Sequence, residues 1–146
     1  MVEERVYLDT SILVKRYVME NDSETADEVF HLAQRGKTVI CFSEINLGEA
    51  AVVFDKYSRK VGIDPTDRVR AMLRELTSLE RSSSVEIYPV SSQIVRKSIK
   101  TVLKNHLYIV DAIQLETCLE AKGTVFLSAD KELVSSAEKL GLETRL

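Results

Sequence analysis

The chain has 146 residues, with 20 Lys and Arg against 23 Asp and Glu, for a formal net charge of −3. A domain of this size buries roughly 70% of its unfolded surface, so it needs neither a disulfide nor a structural metal to hold a core. The near-balance of charge excludes a basic tail that would announce nucleic acid by itself, and no uncharged run is long enough to span a membrane.

Short β-rich runs alternate with longer helical patterns along the chain. RVYLD reads as a first strand, followed by a helix through TSILVKRYVM. A second helix covers Ser23–Gln34, with Ala26, Val29, Phe30 and Ala33 at helical spacing, and Gly36 ends it by adopting positive φ. TVICF is the second strand, after which Ser43 caps a long helix reaching about Val61. Asp64-Pro65-Thr66 starts the next helix, which runs to the serines at 82 to 84. VEIYPV is a third strand. SSQIVRKSIKTVLK is helical, with Ile94, Val95, Ile99, Val102 and Leu103 on one face. A helix over residues 109–121 stops at Gly123, TVFLS is the fourth strand, residues 131–140 form another helix, and LETRL is a short last strand.

Near-continuous apolar strands separated by helices predict a three-layer α/β/α domain with a mostly parallel five-stranded sheet, a single domain over residues 1–146. Cys41 and Cys118 lie in apolar segments without C-x-x-C spacing, which reads as buried free thiols in a cytoplasmic protein. The opening VEERVYLDT, charged from its third residue, does not read as a secretory leader.

Four carboxylates sit in apolar surroundings. Asp9 closes the first strand, Glu49 lies in the helical run SEINLGEAAVVF, Asp111 interrupts LYIVDAIQL, and Asp130 follows TVFLS. An unpaired buried carboxylate costs several kcal/mol, and no Lys or Arg accompanies these four in a regular way. In an open α/β sheet, ligands bind beyond the carboxyl ends of the strands where strand order reverses. Asp9 and Asp130 should face that crevice, with Glu49 and Asp111 in the first turns of the helices beside it. A shared divalent cation would compensate all four, and an all-oxygen donor set suits Mg²⁺ or Mn²⁺. Such an ion activates water and stabilises charge on a phosphodiester.

Each acid also has an ordinary explanation. Asp9 and Asp130 could simply cap the helices that follow, and Glu49 could be a solvated helix residue. Glu44 competes with Glu49, since five positions on a helix place them about 140° apart. Asp111, ringed by apolar neighbours, is the hardest to explain away.

Other chemistries lack support. There is no G-x-G-x-x-G, no G-x-x-x-x-G-K-[ST] and no G-x-S-x-G. His31 and His106 read as surface or packing residues, and Tyr7, Tyr17, Tyr57, Tyr88 and Tyr108 as core and interface filler. The basic clusters read as solvated helix faces, although Lys15 and Arg16, just after Asp9, are the natural candidates for phosphate contacts.

YLDTSILVKRY, SEINLGEAAVVF, IVDAIQLETCLEAKG and TVFLSAD, in this order and spacing, resemble the PIN domain in its VapC-type toxin branch. The resemblance spans essentially the whole chain. It implies that Asp9, Glu49, Asp111 and Asp130 form the catalytic acid set, with Asp9, Asp111 and Asp130 holding the metal and Ser11 and Ser128 supporting them. It further implies a Mg²⁺- or Mn²⁺-dependent endoribonuclease acting on single-stranded RNA, usually a homodimer and often held inactive by a cognate antitoxin protein. A catalytically inactive PIN-like module that binds RNA or protein is the alternative, disfavoured because all four acids are present. A haloacid-dehalogenase-type phosphatase would need D-x-D after the first strand, where this chain has Asp9-Thr10-Ser11.

Overall fold

The computed structural model describes residues 4–18 and 23–145. Five strands, β1 (Glu4–Leu8), β2 (Thr38–Ser43), β3 (Val85–Tyr88), β4 (Val125–Leu127) and β5 (Glu143–Thr144), form one sheet in the order β3-β2-β1-β4-β5. All four pairings are parallel, so the sheet is parallel throughout rather than mostly. From β1 the chain winds outward to β2 and β3, then returns across β1 to β4 and β5. The reversal lies between the carboxyl ends of β1 and β4.

Alternate residues of each strand serve opposite faces, and both faces are covered. Val6, Leu8, Ile40, Phe42, Val85, Val125 and Leu127 pack under α1 (Thr10–Leu13), α2 (Ser23–Gln34), α3 (Glu44–Val61) and α4 (Thr66–Arg81). Tyr7, Val39, Cys41 and Phe126 meet α6 (Ile109–Glu120) and α7 (Lys131–Lys139). Tyr7 stacks on Phe126 with ring centroids 5.4 Å apart. This double burial is why the strands read as unbroken apolar runs. Cys41 and Cys118 are buried in the second cluster and form no disulfide.

Several sequence expectations need correction. The helix expected through TSILVKRYVM is α-helical only to Leu13, tightens to a 3₁₀ turn over Val14–Arg16 and is capped by Tyr17; Met19 lies outside the described residues. Aromatic packing explains the stop, because Tyr17 turns in to meet Phe30 and Phe54 edge-on, each at 6.2 Å. α6 ends just before Gly123 as expected, with Lys122 in the left-handed conformation (φ 55°). Gly123 serves a different need, since a Cβ there would lie 2.6 Å from Cys118 Sγ. The proposed apolar face of α5 (Ser92–Asn105) is split: Ile94 is buried, whereas Ile99 and Leu103 are 53% and 71% exposed. His106 ends α5 in the left-handed conformation (φ 56°).

Candidate active site

Asp9 is held from both sides of the crevice. As the first residue after β1, it donates its backbone N–H to the Leu127 carbonyl at the end of β4, 3.0 Å away. Its side chain is 4% exposed. Oδ1 accepts from Ser11 Oγ at 2.5 Å and from the Ile12 N–H at 3.3 Å, while Oδ2 accepts from Ser128 Oγ at 2.6 Å. Asp9 is thus the cap of α1 and a crevice residue at once. Burial pushes its carboxyl above the ordinary value, and the hydrogen bonds from Ser11, Ser128 and Ile12 pull it back.

Ser11 and Ser128 bind the two strand ends together. Ser11 Oγ accepts from the Ala129 N–H at 3.0 Å, and Ser128 Oγ accepts from the Asp130 N–H at 2.9 Å. Asp130 caps α7, its Oδ1 accepting from the Glu132 and Leu133 N–H groups at 2.9 and 3.3 Å. Its side chain is otherwise exposed.

Glu49 is half-buried and accepts from Thr10 Oγ1 at 2.8 Å. It lies in the second turn of α3, not the first as expected, because the helix begins at Glu44. Glu44 itself is exposed in the first turn. The 140° between them turns one glutamate to Thr10 and the other to solvent.

Asp111 lies in the first turn of α6, half-buried, and forms no hydrogen bond or ion pair among the described residues. Its carboxyl is pushed up to about 6, first by burial and then by the negative charges of Asp130, Glu49 and Asp9. Asp111 therefore feels the other three acids through space, and no cationic side chain among the described residues pairs with it.

They are nevertheless set apart. No three His, Cys, Asp or Glu side chains among the described residues stand close enough to grip one ion directly. The expectation of one ion touched by all four acids is not the arrangement found. Like charges repel, and Asp9 and Asp130 are tied to hydroxyls and backbone amides. The donor set still fits Mg²⁺, which takes one or two carboxylates and keeps several waters, the other acids acting through those waters.

A buried polar network behind the acids escaped the sequence reading. Asn46, fully buried on α3, accepts from Tyr7 Oη at 2.6 Å and the Ser43 N–H at 2.9 Å. Its amide nitrogen donates to Thr10 Oγ1 at 3.0 Å and Gln114 Oε1 at 2.7 Å. The one available signal was Asn46 three residues after the Ser43 cap, the reciprocal position of a capping box.

Arg16 does not serve the crevice. Its guanidinium contacts Glu75 at 3.1 and 2.9 Å and Asp27 at 2.7 Å, and lies 5.1 Å from the centroid of the Phe30 ring.

Solved structures similar to this one share its fold at low identity. PAE2754 from Pyrobaculum aerophilum has 16% identity and a TM-score of 0.67, with 97% of this chain and 84% of that chain covered. VapC20 of Mycobacterium tuberculosis, a sarcin-ricin loop cleaving toxin, has 16% identity and a TM-score of 0.64, covering 90% and 94%. FitAcB from Neisseria gonorrhoeae has 10% identity and a TM-score of 0.60, covering 97% and 96%. No curated protein matches the sequence. The PIN domain profile matches residues 6–139. A match over that much of the chain, on a doubly wound sheet with acids at its reversal point, settles the family: this chain belongs to the PIN domain family.

Proposed function

We propose that this protein is a divalent-metal-dependent endoribonuclease cleaving single-stranded RNA, and that it is the toxin of a toxin–antitoxin pair. The observation that carries the reading is Asp111, a half-buried carboxylate without hydrogen bond or ion pair among the described residues, beside three further acids at the sheet's reversal point. That is an uncompensated negative site, and a hydrated hard cation suits it. Asp9, Asp111 and Asp130 would hold the ion, one or two of them directly and the rest through its waters, and Glu49 would orient water at its edge. When bound, a Mg²⁺ or Mn²⁺ ion supplies activated water and charge stabilisation at a phosphodiester. Ser11 and Ser128 keep Asp9 aimed by donating to its two oxygens. Thr10 fixes Glu49 in the same way.

The toxin assignment is supported by the likeness to VapC20, described as a toxin, and to FitAcB. A cognate antitoxin and a homodimer follow from the same reading, as does a cytoplasmic site of action. No helix among the described residues is long and apolar enough to cross a membrane.

The test is cleavage of total cellular RNA by the purified chain with Mg²⁺, Mn²⁺ or EDTA, beside Asp9→Asn and Asp111→Asn. Cleavage should need the metal and both acids. Cleavage that persists in EDTA, or in both variants, would sink the proposal. Induced expression should arrest growth with the native chain and not with Asp9→Asn.

A further inference from the structure

Four of the five tyrosines are engaged, and one is not. Tyr7 and Tyr17 pack in aromatic clusters, Tyr57 carries the Arg68 guanidinium over its ring at 5.0 Å, and Tyr88 donates to Glu86 at 2.6 Å. Tyr108, just before α6, is 69% exposed and has no hydrogen bond or ring contact among the described residues. It lines a cleft of about 450 Å³ together with Thr10, Glu49, Val52, Val53 and Lys56. Glu49, Val52, Val53 and Lys56 are spaced i, i+3, i+4 and i+7, so they form one stripe along α3. The stripe starts at an acid of the candidate active site, crosses two exposed valines (54% and 38%) and ends at a lysine with no ion pair among the described residues.

We propose that this cleft is a nucleobase subsite for single-stranded RNA. An unpaired base stacks on Tyr108 against the Val52 and Val53 surface, and Lys56 meets a neighbouring phosphate. The charge pattern orients the strand, because the lysine end attracts phosphate while the acid end accepts it only with a cation present. Every base has a face to stack, so the subsite grips a strand without reading its sequence. This inference rests on the nuclease reading and adds the part of the substrate that is held.

The test measures binding of the full chain, in Ca²⁺, to a fluorescein-labelled random-sequence single-stranded RNA and to a ribose-phosphate oligomer without bases. Tyr108→Ala should weaken RNA binding about tenfold, within the range for one stacked base, and Tyr108→Phe should recover the loss. Binding of the base-free oligomer should respond to Lys56→Ala and not to Tyr108→Ala. Both side chains are exposed, so unchanged thermal midpoints should certify the fold. If wild type cleaves RNA but Tyr108→Ala binds it equally well, the subsite is wrong and the nuclease reading stands. If Tyr108→Ala instead changes only the oligomeric state in sedimentation, the surface is a protein interface and the proposal fails. A wild-type chain that neither binds nor cleaves RNA removes both.

Discussion

Asn46 Nδ2 donates to Thr10 Oγ1 at 3.0 Å, which leaves the single hydroxyl proton of Thr10 for Glu49 Oε1, 2.8 Å away. The direction of one hydrogen bond is thus set by another, and a glutamate at the edge of the crevice is aimed by a buried amide. The amide's own orientation is fixed, because its oxygen accepts from Tyr7 and Ser43. Every polar atom of the Asn46 side chain has its partners, the condition under which a buried network adds rigidity rather than cost.

Truncating that amide should be expensive. Asn46→Ala leaves the Tyr7 hydroxyl, the Ser43 N–H and the Gln114 carbonyl without partners in a dry region. A loss on the order of 3 kcal/mol in urea unfolding is expected. A loss below about 0.5 kcal/mol, the scale of ordinary surface substitutions, would show that the network is dispensable. Thr10→Val should cost less stability and lower RNA cleavage, since it removes the link to Glu49 and only one of the four hydrogen bonds of the Asn46 side chain.

Asp111 gives the metal-free protein a pH signature. Its folded pKa of about 6 lies above the unfolded value of 3.8, so the folded state holds this proton more tightly. The contribution of Asp111 to stability is fully present below the unfolded value and is lost as pH rises through about 6. Thermal midpoints in EDTA should therefore favour Asp111→Asn over wild type more at pH 8 than at pH 5. An equal difference at the two pH values would refute this.

Metal should reverse that trend. A divalent ion needs the deprotonated carboxylate, so the stabilisation by Mg²⁺ should be larger at pH 8 than at pH 5. Asp9→Asn should abolish most of the Mg²⁺-induced shift in thermal midpoint. The fold should survive, because the hydroxyls of Ser11 and Ser128 can turn to suit an amide. A full Mg²⁺ shift in Asp9→Asn would remove Asp9 from the ion's surroundings.

Gly123→Ala tests close packing away from the site. The new methyl would stand 2.6 Å from Cys118 Sγ and 3.3 Å from the Cys118 carbonyl. Overpacking of this kind costs about 1–3 kcal/mol. Cys118→Ala should relieve part of that cost in the double variant, visible as a non-additive change in the urea midpoint. Strict additivity would place the strain elsewhere.

The alternation of apolar strands and amphipathic helices made the fold legible, because burial on both sheet faces leaves a direct imprint on composition. Asp9 and Asp130 were legible as strand-end acids for the same reason, since topology alone carries them to the reversal point. The Asn46, Thr10 and Gln114 network was not legible. A polar residue within a helix looks like a solvated face until the packing partner across the sheet is known. Ile99 and Leu103 fail in the opposite sense, as helical spacing says which residues share a face but not whether anything covers it. Lys122 shows a third limit: Gly123 was legible as the stop of α6, but not the left-handed turn at Lys122 before it or the close approach of Cys118.

The bond from Ser128 to Asp9 joins residues 119 positions apart. A ribosome making this chain releases Asp9 and Ser11 long before Ser128 and Asp130, and β4 must join β1 before the bonds that tie Asp9 and Ser11 to residues 127–129 can form. On the proposed nuclease reading, a nascent chain therefore gains the capacity to cut only once β4 has emerged and paired with β1.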